Sequence, residues 1–284
     1  GWLRFPAPFA TVIMPELPEV ETTRRGIEPL IVGKTVDRVV VHKDSLRWPV
    51  PDELEHVLPR QKVRAVGRRS KYLLLKFDSG TLVVHLGMTG HLRCTERSSP
   101  LRKHDHVEIV FCDGSVLRYN DSRRFGFMLW TTDDPLLHER LVNLGPEPFD
   151  DAFNADYMYR LSRNRKVAVK PFLMDAHVVV GVGNIYASEA LFRAGIAPGK
   201  SAGMVSRAAF KRLVDAVREI LGEAIAAGGT TIRDFADSAG RPGYFKQELR
   251  VYGRDGQLCS ACESIIRLTR LGQRSTYHCP KCQK

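Results

Sequence analysis

The sequence has no run of the roughly 18 to 20 uninterrupted apolar residues that a membrane-spanning helix needs. Its first residues also lack the basic start and apolar core of a secretory signal. No membrane-spanning helix is expected, and the cytoplasm is the default compartment. Internal repeats and low-complexity tracts are absent too, which leaves an ordinary globular chain. Cysteine is scarce before the last 26 residues: only Cys94 and Cys112 occur there, in strand-like sequence. They read as packed thiols rather than a disulfide or a reactive pair. Acidic residues are in deficit, 32 against 43 Lys and Arg, for a net charge of +11. Such a balance suits a polyanion, because cations that neutralise phosphates release condensed counterions. Nucleic acid, an anionic membrane surface or plain solubility all remain open at this point. What is present, 284 residues at 43% hydrophobic, is enough for two domains with their own cores.

Residues 1–14 show no helical or strand period, whereas Met14 is followed at once by PELPEVETTRRGIEPL. Met14 reads as the true start. Proline in second position permits removal of the initiator methionine, so the processed chain is expected to begin at Pro15. A helix is expected from Leu17, with Pro18 in its first turn, Glu19 and Glu21 at its positive end, and Gly33 ending it. From Thr35 to Trp130 short β-rich runs follow, such as VDRVVVH, YLLLKF, TLVVHL, HVEIVF and FGFMLW, separated by turn signals. They read as a β-sandwich or barrel. GPEPFDD at 145–151 marks a boundary, after which helical patterns dominate: Ala155 to Asn164, Tyr186 to Ala194 and Ser206 to Ala227. The polar, Gly-containing SAGRPGYFKQE segment that follows is expected to be a mobile loop.

The most specific chemical signal is Cys259-x-x-Cys262 and, sixteen residues on, Cys279-x-x-Cys282. Two such pairs supply four thiolates at the spacing of a tetrahedral structural zinc site. IIRLTR and RSTYH between them read as a β-hairpin, with Arg267, Arg270 and Arg274 available for phosphates and His278 a bystander. The GVGN turn before a helix can offer backbone N–H groups to a phosphate, or can be an ordinary helix entry. Pro15-Glu16 carries a third reading. An N-terminal amine titrates near 7.7 to 8.0, and a secondary amine attacking an anomeric carbon gives an iminium that cannot lose an N-proton. Glu16 can then protonate the sugar ring oxygen as the base leaves. The competing reading is that Pro15 and Glu16 only start a helix.

Taken together, MPELPEVETTRRGIEP, GRRSKYLLL, HLGMTGHLR, KHDHVEI, DSRRFG, LGPEPF, KPFLMD, VGVGNIYASEALF, GGTTIRDF, GRPGYFKQELRVYGR and QRSTYHCPKCQK resemble the bacterial formamidopyrimidine-DNA glycosylases, known as Fpg or MutM. The matching segments run in order from Pro15 to Lys284. The resemblance implies an α+β fold of two domains: an N-terminal β-sandwich carrying the first helix, then a helix-two-turn-helix domain with a C-terminal β-hairpin zinc finger. The corresponding boundaries are an extension at 1–14, the catalytic sandwich at 15–135, a linker at 136–150, the helical domain with a lid around Ser238 to Tyr244 at 151–250, and the finger at 251–284.

The same resemblance places the nucleophile at Pro15, the acid at Glu16, the β-elimination lysine at Lys71 and the δ-elimination arginine at Arg274. Lys71 could otherwise snorkel from a strand edge, and Arg274 could only hold a phosphate. A base excised from a duplex must be flipped out. Met88, Arg123 and Phe125 match the positions that fill the vacated space; by sequence alone Met88 and Phe125 would be routine core residues. His104, Arg165 and Asn184 match phosphate-binding positions, Arg165 standing where lysine is common. The implied activity is a bifunctional glycosylase and lyase of base excision repair, acting on oxidised purines such as 8-oxoguanine and formamidopyrimidines. One structural Zn2+, a monomeric enzyme on double-stranded DNA with no membrane partner, and a bacterial cytoplasmic, nucleoid-associated location go with it. Two alternatives stand beside it: an endonuclease VIII-like enzyme for oxidised pyrimidines, and a non-catalytic DNA-binding protein should the extension persist.

Overall fold

The computed structural model describes residues 15–228 and 249–284. The extension and the expected lid around Ser238 to Tyr244 lie outside the described residues. Helix α1 (Leu17–Ile31) opens the chain, with Pro18 in the first turn. The Glu16 amide donates to Glu19 Oε2 at 2.9 Å, half of a capping box.

Two antiparallel four-stranded sheets follow. One has the order β2-β3-β4-β8 (Ala65–Arg69, Tyr72–Lys76, Thr81–His85, Phe127–Thr131). The other has the order β1-β6-β7-β5 (Val36–Val41, Asp105–Phe111, Ser115–Asn120, His91–Glu96). Alternation drives the packing: Leu73 and Leu75 of β3, opposite Val84 and Leu82 of β4, turn inward against Val107, Ile109 and Leu117 of the second sheet. Val20, Ile27 and Ile31 of α1 join this core. A short helix α2 (Leu54–Val57) follows β1 and buries Leu54 in it.

The outer face of the second sheet is polar but closed. Arg93 makes a bidentate bridge to Asp105 at 2.6 Å, and Arg118 bonds Glu108 at 2.6 Å, both largely buried. Arg118 and Asn120 also donate to the carbonyls of Ser99, Pro100 and Lys103, which straps loop 97–104 onto the sheet and fixes its end at His104.

After residue 150 the chain is helical: α3 (Ala155–Ser162), α4 (Val169–Met174), α5 (Asn184–Ala194) and α6 (Arg207–Ala226). Asn154 and Ser206 cap α3 and α6 through their side chains, and Gly195 at φ +71° ends α5. Their apolar faces form a second core, from Phe153 to Ala224. A third, smaller cluster joins Ile185 to Val251, Tyr252, Ile266, Tyr277, Cys259 and Cys279. It carries the hairpin β9 (Arg267–Leu271) and β10 (Arg274–His278), whose two-residue turn, Gly272-Gln273, has φ of +53° and +61°. That turn sets Arg274 at the start of β10.

The two halves meet along α1 and the linker. The Leu17 amide donates to the Gly181 carbonyl at 3.1 Å. Glu147 of GPEPF accepts from Arg68, Arg69 and the Ser70 amide at 2.8 to 2.9 Å.

Candidate active site

Glu16, Lys71, Met88, Asn184 and Arg274 line one cavity of about 260 Å3, together with Met174, Val182, Gly183, Ile185 and Tyr252. Each arrives on a different element. Glu16 stands at the N-terminus of α1, and Lys71 sits in the two-residue turn Ser70-Lys71 closed by the pair Arg69 and Tyr72, Ser70 having φ +56°. Met88 lies in the turn after β4, Asn184 opens α5, and Arg274 opens β10. Pro15 is buried and precedes Glu16 without lining the cavity.

Glu16 is 3% exposed, and its two oxygens are held separately: Gly183 N–H donates to Oε2 at 2.8 Å and Ile185 N–H to Oε1 at 3.0 Å. The Gly183 amide of GVGN and the Ile185 amide just after it are thus taken by a carboxylate of the same chain instead of standing free for a phosphate. The approach demands glycine, since a Cβ on Gly183 would lie 2.2 Å from the Glu16 carboxyl carbon. Burial pushes the Glu16 pKa up to about 7, against the downward pull of Lys71 and the two amides. A carboxyl that keeps its proton near neutrality can act as an acid.

The Met88 turn, which lines this cavity, and the turn bearing Arg123 and Phe125 are held together by one group that the sequence pattern did not single out. Asp121 is fully buried, and its carboxylate accepts from Thr89 Oγ1 (2.5 Å), the Arg123 amide (3.3 Å), the Gly126 amide (2.9 Å) and the Tyr119 hydroxyl (3.2 Å). It joins the Met88 turn to the turn bearing Arg123 and Phe125. There is no room between them: a Cβ on Gly87 would meet the Gly126 nitrogen at 2.3 Å. Phe125 is not a core residue but 43% exposed, with the Arg123 guanidinium 4.8 Å from its ring centroid. Met88 is half-buried. His104 and Arg165 stand outside the cavity, His104 half-buried with φ +72° and Arg165 exposed.

Lys170 was also missed. It is 1% exposed, and its Nζ donates to Asn184 Oδ1 (2.7 Å), the Ser275 carbonyl (3.0 Å) and Thr276 Oγ1 (3.0 Å). It therefore ties α5 to the strand that carries Arg274. Burial brings its pKa down to about 8. Glu189 accepts from the amides of Arg250, Val251 and Tyr252 at 2.8 to 3.0 Å and anchors the entry to the hairpin. These residues lie inside recognisable motifs, yet nothing in spacing announces that they are buried.

Cys259, Cys262, Cys279 and Cys282 converge, their sulfurs all within 4.8 Å of one another. The Cys262–Cys279 and Cys259–Cys282 separations are 3.4 and 3.9 Å. Four thiolates bound at about 2.3 Å in a tetrahedron would stand roughly 3.8 Å apart. The set fits a metal ion, and His278 is not part of it.

Comparison with known proteins shows the family. The family models for the formamidopyrimidine-DNA glycosylase N-terminal domain and H2TH domain match residues 14–128 and 144–236. The formamidopyrimidine-DNA glycosylase of Stutzerimonas stutzeri is 58% identical over 271 residues, covering 95% of this chain and 100% of the relative. That of Methylococcus capsulatus is 55% identical with the same coverage. Among solved structures, wild-type Lactococcus lactis Fpg with DNA containing N7-benzyl-Fapy-dG superposes with a TM-score of 0.87 at 34% identity, covering 95% of this chain and 100% of that one. The Lactococcus lactis complex with abasic-site DNA gives 0.88 at 34% identity, covering 95% and 99%. The chain belongs to the formamidopyrimidine-DNA glycosylase family.

Proposed function

We propose that the protein is a bifunctional DNA glycosylase and lyase that removes oxidised purines, 8-oxoguanine and formamidopyrimidines, from double-stranded DNA. The observation that carries the reading is Glu16, a buried carboxyl poised near neutrality beside Pro15, in a cavity shared with Lys71 and Arg274. DNA as partner is supported by the Lactococcus lactis complexes and by the net charge of +11.

In this reading the chain is processed after Met14, where the family match also begins. The free Pro15 amine attacks the anomeric carbon of the extruded nucleotide, Glu16 protonates the ring oxygen and the base departs. The resulting iminium allows β-elimination with Lys71 and δ-elimination with Arg274. Met88, Arg123 and Phe125 fill the space left in the stack, while His104, Arg165 and Asn184 hold phosphates. Zinc is our assignment for the four-cysteine set, in a structural role. We divide the chain into sandwich (15–135), linker (136–150), helical domain (151–250) and finger (251–284), and place it as a monomer in a bacterial cytoplasm.

The test is product analysis on two duplexes. Cleavage at 8-oxoguanine opposite cytosine, leaving a one-nucleotide gap with phosphate ends, together with weak action on thymine glycol, is the expected result. The opposite preference would make the protein an endonuclease VIII-like pyrimidine enzyme.

A further inference from the structure

Segment 42–50, after β1, carries Arg47 and Trp48 to the turn that bears Arg123 and Phe125. The Arg47 amide donates to the Gly126 carbonyl at 3.1 Å, and Arg124 donates to Ser45 Oγ at 3.3 Å. Trp48 meets Phe127 edge-on with centroids 4.5 Å apart; Phe127 stacks on His85 at 5.1 Å and leans on Tyr72, the neighbour of Lys71, at 6.0 Å. A continuous aromatic run therefore leads away from the Lys71 turn. Two guanidiniums lie over the Trp48 ring, Arg140 at 3.9 Å and Arg47 at 4.8 Å from its centroid.

Neither guanidinium is neutralised. Among the described residues Arg47 has no ion pair, and Arg140 meets only the adjacent Glu139 at 3.9 Å, a side chain 80% exposed to solvent. An aromatic ring orients a guanidinium without cancelling its charge, which leaves the donor fork for another anion. The surplus charge also reaches inward: besides burial, Lys71, Arg47 and Arg140 help to hold His85 neutral, its pKa brought down to about 4.

We propose that Arg47 and Arg140, held on Trp48, form a clamp for the DNA backbone beside the lesion, separate from His104, Arg165 and Asn184. The proposal rests on the DNA glycosylase reading above. A phosphate suits the site better than a stacked base, because the Trp48 ring is already covered by two guanidiniums and Phe127, whereas an arginine fork matches phosphate oxygens. A purely architectural Arg140, pinning the linker to the sandwich, would need no uncompensated charge.

Salt-dependent binding of the whole protein to a duplex with a tetrahydrofuran abasic analogue, read by fluorescence anisotropy, tests the clamp. Each lost phosphate contact lowers the slope of log affinity against log salt by about 0.9. Arg47→Gln and Arg140→Gln should each show that loss, the double variant about 1.8, and Arg140→Lys should recover the Arg140 share. A double variant with the wild-type slope overturns the proposal, whether its melting temperature is native or lowered. So does a Trp48→Ala variant that loses affinity while keeping the wild-type salt slope, which would signal base stacking instead of phosphate contact. Wild-type protein without affinity for the duplex would instead refute the DNA glycosylase reading itself.

Discussion

Glu16 sits where a proton is useful and an anion is costly. Its pKa of about 7 against an ordinary 4.5 means that the folded state favours the protonated acid. That contribution to stability is complete below about pH 4.5 and disappears as pH rises through about 7. In the proposed mechanism catalysis has a second, opposed limb, because a free Pro15 amine loses its proton only toward 7.7 to 8.0. Single-turnover base release should therefore be bell-shaped with its maximum near pH 7 to 8, the apparent values belonging to the coupled pair. Glu16→Gln should slow base release by about 10²- to 10⁴-fold and remove the alkaline limb. A variant within about threefold of wild type at all pH values would end the acid assignment. Glu16 was legible because it neighbours a special amine in a specific motif. Lys170 and Asp121 were not, since a lone Lys or Asp in a motif looks the same whether solvated or buried, and burial is decided by distant segments.

At the level of elements, the strands most easily read were those whose inward residues alternate with little competition, such as YLLLKF and TLVVHL. Strands β2, β5 and β7 are less plainly marked, although Cys94 of β5 stands in strand-like sequence, because Arg68, Arg69, Arg93, Arg118 and Asn120 interrupt their apolar pattern. Those residues bond Glu147, Asp105, Glu108 or loop carbonyls, so their polarity serves the tertiary structure. The same logic makes Asp121 a brace for the Met88 turn and the turn bearing Arg123 and Phe125. Asp121→Ala strands several buried donors at once, each worth roughly 1 to 3 kcal/mol when unpaired. A destabilisation on the order of 3 kcal/mol is expected in denaturant melts, with weakened binding to abasic duplex. A cost under about 1 kcal/mol would show that the turns hold their shape without it.

Across the whole molecule, the sandwich core and the cysteine cluster share no residue. Removing the proposed zinc with a chelator, or Cys279→Ser, should therefore melt the β9–β10 hairpin and abolish lesion binding while the sandwich stays folded. Near-UV signals from the Tyr252–Tyr277 pair, whose rings lie 4.9 Å apart, should vanish before the global transition. A single cooperative loss of all structure would contradict that independence. Domain order and the metal set were readable because both rest on local spacing. The meeting of Glu16 with Gly183 and Ile185 was not, because those residues are more than 160 positions apart in the chain. The proposed chemistry turns on a free amine at Pro15. Borohydride trapping on 8-oxoguanine duplex, followed by mass spectrometry of the adduct, should find the DNA on a chain that starts at Pro15, and Pro15→Gly should reduce its yield. A trapped adduct on another residue, or full activity from protein that retains residues 1–14, would contradict it.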